Sequence, residues 1–220
     1  MIEVENLIKV YRRGKIEVIA IRDVSLTINK GEFALLIGPS GSGKTTFLHL
    51  IGGIDRPTAG KIVVNGKNIV HFNDEELTEY RRKEVGMVFQ FFNLLPILTA
   101  IENVMLPMEF AGVPRSERKK RALELLKKVG MEDRKDHYPD EMSGGEQQRV
   151  AIAVALANDP PLILADEPTG ELDTETGLKI IELFKELNAE GKTIIIATHD
   201  LRLKKYATRI LEIRDGKITG

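Results

Sequence analysis

The feature that most restricts what this chain can fold into is Gly38-Pro39-Ser40-Gly41-Ser42-Gly43-Lys44-Thr45-Thr46, set directly behind a short apolar run. It fits G-x-x-x-x-G-K-[ST], a pattern that calls for a strand before it and a helix after it. Phe33-Ala34-Leu35-Leu36-Ile37 has the length and character of a buried strand, and Phe47-Leu48-His49-Leu50-Ile51 can continue as a helix. Gly38, Gly41 and Gly43 let the intervening backbone turn tightly and aim successive N–H groups into a concave anion site, with Ser40 and Thr46 in the same cradle. Lys44 adds a positive charge near the β- and γ-phosphates of a nucleotide, and the Thr45 hydroxyl can ligate Mg²⁺. The loop predicts nucleotide binding on an α/β core. It does not say which class of nucleotide machine this is.

A chain of 220 residues, 42% of them hydrophobic, can bury a full core as one domain or one domain with a subdomain. No run approaches the 18 or so uncharged apolar residues that would cross a bilayer. Met1-Ile2-Glu3-Val4-Glu5 lacks the basic and apolar regions of a signal peptide. The expectation is a cytoplasmic chain that inserts into no membrane and reaches one only through a partner. Without cysteine, disulfides, thiolate catalysis and cysteine metal sites are excluded. Thirty-two Lys and Arg against 33 Asp and Glu leave no basic nucleic-acid footprint in the total.

Residues 3–10 alternate loosely, and residues 18–28 form a second β-like stretch that Gly31 separates from the loop-feeding strand. Gly60-Lys61-Ile62-Val63-Val64-Asn65-Gly66 predicts a strand and then a turn, because Asn-Gly readily takes hairpin conformations. Such strands predict a small antiparallel sheet beside a larger one. Residues 75–83 are polar and helical in character, and residues 85–89 predict a strand ending at Gln90. Ser116 is the expected N-cap of a charged helix whose Ala122, Leu125, Leu126 and Val129 recur on one side before Gly130 stops it. A second helix is expected from Gly144 through Ala157, ahead of Pro160-Pro161. Residues 91–160 thus read as a helical insert in a nucleotide-binding core made of 1–90 and 161–220. After it, Leu162-Ile163-Leu164-Ala165 and Thr193-Ile194-Ile195-Ile196-Ala197 are buried strands around an amphipathic helix over 176–188. That rhythm predicts an α/β fold with a mainly parallel sheet covered by helices. Residues 210–213 and 217–218, joined by Asp215-Gly216, predict a closing hairpin.

Residues just past the carboxyl ends of strands face the ligand crevice in open α/β sheets. Asp166 and Glu167 stand there: Asp166 can hold Mg²⁺, and Glu167 can polarise the water that attacks a γ-phosphate. The bland alternative is an ordinary Asp-Glu turn before Pro168. His199 follows the next strand, where it can reach a γ-phosphate or orient water, or else simply cap the strand end. Four histidines without clustered spacing do not suggest zinc. Ser143-Gly144-Gly145-Glu146-Gln147-Gln148-Arg149 opens a helix whose free N–H groups can receive a second phosphate. The same residues also form a plain capping box, Ser143 with Glu146, and both readings can hold.

Together these residues resemble the ATP-binding-cassette ATPases over essentially the full chain. Residues 38–46 match the family's phosphate loop. Met142-Ser143-Gly144-Gly145-Glu146-Gln147-Gln148 resembles its signature motif, with Met142 where Leu is usual. Residues 162–166 followed by Glu167 resemble the Mg²⁺ strand and catalytic glutamate. Gln90 is similar to the glutamine-loop residue, His199 to the switch histidine, Gly170-Glu171-Leu172-Asp173 to the dimer-contacting loop, and Tyr11 to the aromatic that stacks on adenine. Two positions depart from the pattern. Glu171 stands where Asn or Ala is usual, which either weakens closure or adds an ion pair across the interface. Val154 replaces an arginine, implying a lost internal salt bridge or a changed helix seat.

The resemblance implies a P-loop NTPase core with an N-terminal antiparallel β subdomain and an inserted helical subdomain. It implies ATP hydrolysis with Mg²⁺ held by Thr45, Gln90 and Asp166. It further implies a head-to-tail homodimer on ATP binding, each nucleotide lying between one phosphate loop and the partner's 143–145 segment. The partner at the inner face of the membrane would be an integral permease. Phe91, Phe92, Leu94 and Leu95 are either local core or the lining of a groove for a short helix. That stretch, with Leu106-Pro107-Met108 and the insertion Arg12-Arg13-Gly14-Lys15, resembles the lipoprotein-release and macrolide-export branch. Export or extraction is the role implied. The alternatives are a cell-division complex and a nucleotide-binding structural subunit with weak hydrolysis.

Overall fold

A computed structural model describes residues 2–14 and 16–219; Met1, Gly220 and Lys15, the last in the insertion after Tyr11, lie outside them. Ten strands and six α-helices are found among the described residues. Strands β1 (Ile2–Arg13), β2 (Ile16–Ile28), β4 (Ala59–Val64) and β5 (Lys67–Asn68) form an antiparallel sheet in the order β2-β1-β4-β5. The larger sheet runs β10-β9-β3-β8-β7-β6, built from β3 (Phe33–Ile37), β6 (Val85–Val88), β7 (Leu162–Asp166), β8 (Thr193–Thr198), β9 (Arg209–Arg214) and β10 (Lys217–Thr219). Among the described residues only the β9–β10 pair in it is antiparallel.

The apolar runs of β3, β7 and β8 are unbroken because both faces of this sheet are covered. Side chains alternate across a strand, so Leu35, Ile163, Ile194 and Ile196 enter one core while Leu36, Leu162, Leu164 and Ile195 enter the other. The first core is closed by α3 (Ala100–Phe110), α4 (Arg115–Lys128), α5 (Gly144–Ala155) and α6 (Thr174–Ala189). The second is closed by α1 (Lys44–Ile51) and the antiparallel sheet, with Tyr80 of α2 (Asp74–Glu84) at its margin.

Two expectations need correction, and one helix has no counterpart among them. Helix α4 begins at Arg115 with Pro114 as its N-cap residue, so Ser116 lies inside the first turn. Proline suits that place because the first turn has no use for its missing N–H. Helix α5 ends at Ala155, two residues short of Ala157. Helix α3 has no counterpart among the expectations: Ile101, Val104, Met105 and Met108 recur at helical spacing behind a Thr99–Glu102 capping box, but the internal Pro107 argues against a helix there.

Candidate active site

Strand register brings the singled-out residues together. The neighbours β3, β8, β7 and β6 are parallel, with Ile37 opposite Thr198, Asp166 opposite Ala197 and Val88 opposite Ala165. Their carboxyl ends therefore present the phosphate loop, His199, Asp166-Glu167 and Gln90 along one edge of the sheet. This is the crevice where open α/β sheets hold ligands.

The phosphate loop leaves β3 at Gly38 and enters α1 through Gly43, whose φ of 108° favours glycine and whose Cβ would lie 2.5 Å from the Ala20 carbonyl oxygen. Ser40 and Gly41 lie exposed at the loop tip, as does Thr45 at the helix start, with Thr46 half-buried behind it. Lys44 is buried; its Nζ donates to the carbonyls of Gly38 (2.8 Å) and Pro39 (3.1 Å) and lies 3.4 Å from Glu167 Oε1. A cation thus sits within the curl of the loop, where the charge of a triphosphate would be received.

Asp166 ends β7 and Glu167 turns away from it with φ 46°, a left-handed conformation unusual for a residue with a side chain. The turn separates the two carboxylates in direction. Glu167 Oε2 lies 3.0 Å from His199 Nδ1 and accepts the His199 backbone N–H at 3.3 Å, while Oε1 faces Lys44. Glu167 is only 14% exposed; His199 is 68% exposed and stands at the rim. Burial pushes the Asp166 carboxyl above its usual range; the Thr45 hydrogen bond pulls the other way, and the charge of Glu167 adds to the rise. Its Oδ1 is buried without a protein partner. An orphaned carboxylate oxygen beside a threonine hydroxyl suits a hard cation that takes oxygen ligands. Among the described residues no cluster of three or more His, Cys, Asp or Glu could hold a metal. A site of one aspartate, a hydroxyl and an amide oxygen would not be such a cluster.

Ser143 caps α5 in a full capping box with Glu146, and its backbone and hydroxyl bonds hold the Glu146 carboxyl below its usual range. A Cβ on Gly145 would come within 2.4 Å of Thr176 Cγ2, so this glycine is needed for helix packing as well as for any phosphate. The neighbours of Gly144 are Leu172, Phe92 and the Glu171 carbonyl. The 143–145 segment therefore abuts the 170–172 turn and the loop after Gln90, while α1 packs on β2, β7 and β8. Glu171 itself has found a partner in its own chain: Gln90 Nε2 donates to its Oε1 at 2.8 Å. Val154 packs against the helical core beside Ala155 and lines a surface cleft with Pro107, Phe110 and Asn158, an apolar seat in place of an ion pair.

Tyr11, opposite Val18 on the β1–β2 hairpin, is 41% exposed and donates its hydroxyl to Asp55 Oδ2 at 2.8 Å. Lys9 Nζ binds Asp55 Oδ1 at 2.7 Å and lies 4.7 Å from the Tyr11 ring centre. Sequence reasoning missed Lys9 and Asp55, which carry no motif. It also missed Asn103, buried, whose side chain accepts from Leu95 N and donates to the carbonyls of Leu95, Leu98 and Thr99. Asn103 pins the segment that follows Gln90. Within that segment Leu94 packs on the core, whereas Phe91 and Leu95 are exposed, as are Ile97 and Phe110 nearby.

The family model described as "ABC transporter" matches residues 21–170, more than half of the chain. An uncharacterized ABC transporter ATP-binding protein of Thermotoga maritima is 53% identical over all of this chain and 94% of its own length. The ATP-binding cassette MJ0796 of Methanocaldococcus jannaschii, solved as a dimer in a post-hydrolysis state bound to ADP and Pi, superposes with a TM-score of 0.93. That match is at 46% identity and covers 100% of this chain and 97% of the solved one. A macrolide export ATP-binding/permease protein, MacB of Hyphomonas neptunium, is 46% identical over 99% of this chain, which spans 34% of that longer protein.

Proposed function

The chain belongs to the ABC transporter family and is an ATPase of that family; from that premise we propose that it is the motor subunit of a membrane complex that exports or extracts its substrate. Two copies would close head to tail around two Mg-ATP. The observation that carries this reading is the split between two half-sites. Lys44, Asp166, Glu167, His199 and Gln90 lie along one sheet edge, and the phosphate loop leads into α1 on one face of the sheet, whereas 143–145, with Ser143 exposed, leads into α5 on the other face. A second copy would supply the phosphate partner for that helix start. The dimer of the MJ0796 cassette supports the arrangement.

In each composite site the loop N–H groups and Lys44 would hold the β- and γ-phosphates. Glu167, with one oxygen held by His199, would take the proton of a water attacking the γ-phosphorus as the bond to the β-phosphate oxygen breaks and ADP leaves. Thr45, Asp166 and Gln90 offer the oxygen atoms that would hold Mg²⁺, which would neutralise charge on the β- and γ-phosphates. No helix among the described residues is long and apolar enough to cross a membrane. The exposed apolar side chains Phe91, Leu95, Ile97 and Phe110 beside the Gln90 loop would instead receive a permease. The likeness to a macrolide exporter favours export within this reading.

Sedimentation of two variants with ATP and Mg²⁺ tests it. Glu167→Gln keeps size and hydrogen bonding but removes the base, so turnover should fall roughly 10²–10⁴-fold while ATP-bound dimer accumulates. Ser143→Arg should bind ATP as a monomer and fail to close. Closure of the arginine variant at parental ATP and protein concentrations would remove the basis for a shared site.

A further inference from the structure

Glu171 is unexplained by any catalytic role, yet among the described residues it is the hydrogen-bond partner of the Gln90 side chain. The two residues lie 81 positions apart and meet at 2.8 Å. The approach is close along the whole turn: a Cβ on Gly170 would sit 3.3 Å from Gln90 Nε2. The turn is itself held from both ends. Gly170 N–H donates to the Glu167 carbonyl at 3.0 Å and Leu172 N–H to the Thr169 carbonyl at 3.2 Å. Asp173 then caps α6, accepting from the N–H groups of Glu175 and Thr176 at 3.0 Å each. Glu171 is thus presented by a braced turn that starts at the proposed catalytic base.

The chemistry of this bond has a direction. A carboxylate oxygen can only accept, so the contact takes the NH₂ end of the Gln90 amide and leaves its carbonyl oxygen as the free end. That oxygen is the atom of a glutamine that ligates a hard cation. We propose that Glu171 is a positioning residue for the metal: it fixes the flip of the Gln90 amide so that Oε1 is the atom offered to Mg²⁺. The proposal rests on the reading of Thr45, Asp166 and Gln90 as the Mg²⁺ site. It gives Glu171 a place within its own chain, distinct from both the weakened closure and the cross-interface ion pair that its position suggests. Outer-shell partners of this kind orient the metal's ligands. Asn or Ala here would act differently: alanine has no acceptor, and asparagine is one methylene shorter.

Metal binding can be read without turnover. The full-length chain, saturated with a non-hydrolysable ATP analogue, is titrated with Mn²⁺ and free metal is followed by electron paramagnetic resonance. Glu171→Ala should weaken Mn²⁺ about tenfold, the low end for an outer-shell partner because the pair is exposed. Metal-free affinity for the analogue should not fall. Glu171→Gln keeps the reach but carries a donor as well as an acceptor, so it fixes the flip only in part and should weaken Mn²⁺ less than the alanine variant, a partial rescue that a simple charge effect would not give. Gln90→Ala should weaken Mn²⁺, and adding Glu171→Ala to it should cost nothing more. Parental Mn²⁺ affinity in Glu171→Ala, equal losses in the alanine and glutamine variants, or additive losses in the double variant would each overturn the proposal. A parent that binds no nucleotide-dependent Mn²⁺ would overturn the metal-site reading itself. Weakening by Gln90→Ala with Glu171→Ala silent would overturn the Glu171 assignment alone.

Discussion

At the scale of single residues, Tyr11 shows how a motif residue depends on others that no motif marks. Its hydroxyl is held by Asp55, which also pairs with Lys9, while Lys9 sits by the ring. Burial pushes the Asp55 carboxyl up, but the bonds from Lys9 and Tyr11 outweigh it and leave the group below its usual range. Burial, followed by the Asp55 bond, pushes the tyrosine hydroxyl up, with Thr46 of the phosphate loop opposing through its own hydrogen bond. The Tyr11 ring is thereby tied to the far end of α1. Tyr11→Ala should weaken ATP and ADP alike by about 1–3 kcal/mol, the range for a base–aromatic stack. Asp55→Ala should shift both in the same direction by less. Calorimetric titration decides: a loss confined to ATP would show that Tyr11 does not carry the base. The convergence of Lys44, Asp166, Glu167 and His199 was legible because strand ends and loop spacing dictate where these residues stand. Asp55 and Lys9 were not, since a lone carboxylate in a turn and a lysine in a strand have ordinary surface explanations.

At the scale of elements, the helices that close the first core are fixed by capping and by buried polar groups as much as by periodicity. Helix α3 starts with a capping box, Thr99 with Glu102, but contains Pro107, which leaves the Asn103 carbonyl without its helical donor. The Asn103 side chain ties the preceding segment to this helix instead, accepting from Leu95 N and donating to the carbonyls of Leu95, Leu98 and Thr99. Asn103→Ala would strand those groups under the loop, costing about 2–3 kcal/mol. Urea unfolding should show a lower midpoint with an unchanged slope, and an unchanged midpoint would mean that the segment does not depend on this anchor. Pattern reading located α5 and α6 by their caps and apolar faces, and the buried strands by short unbroken apolar runs. It failed at α3 because the proline argues locally against a helix that tertiary packing stabilises.

At the scale of the whole molecule, strand order does the assembling. Residues from the loop at 38–46, from 90, from 166–167 and from 199 converge because β3, β8, β7 and β6 are neighbours in the sheet. Binding there should stabilise the entire fold. A non-hydrolysable ATP analogue with Mg²⁺ at about 100 times its dissociation constant adds roughly 2.7 kcal/mol. Lys44→Ala should lose most of that thermal shift at the same ligand concentration. The comparison is between shifts, because Lys44 is buried and bonded to its own loop in the free chain. An undiminished shift in the variant would place the nucleotide elsewhere.

The sequence by itself determined the fold class, the two kinds of sheet, the phosphate loop and the identity of most residues along the crevice. These are local matters: spacing, side-chain chemistry and the periodicity of short segments. Only the tertiary structure decided which side chains share a bond. It turned Glu167 between Lys44 and His199, put Asp55 under Tyr11 and joined Glu171 to Gln90. The reason is physical. A contact between residues 32, 44 or 81 positions apart depends on strand order and loop course, and neither leaves a trace in the pattern of the segments it joins.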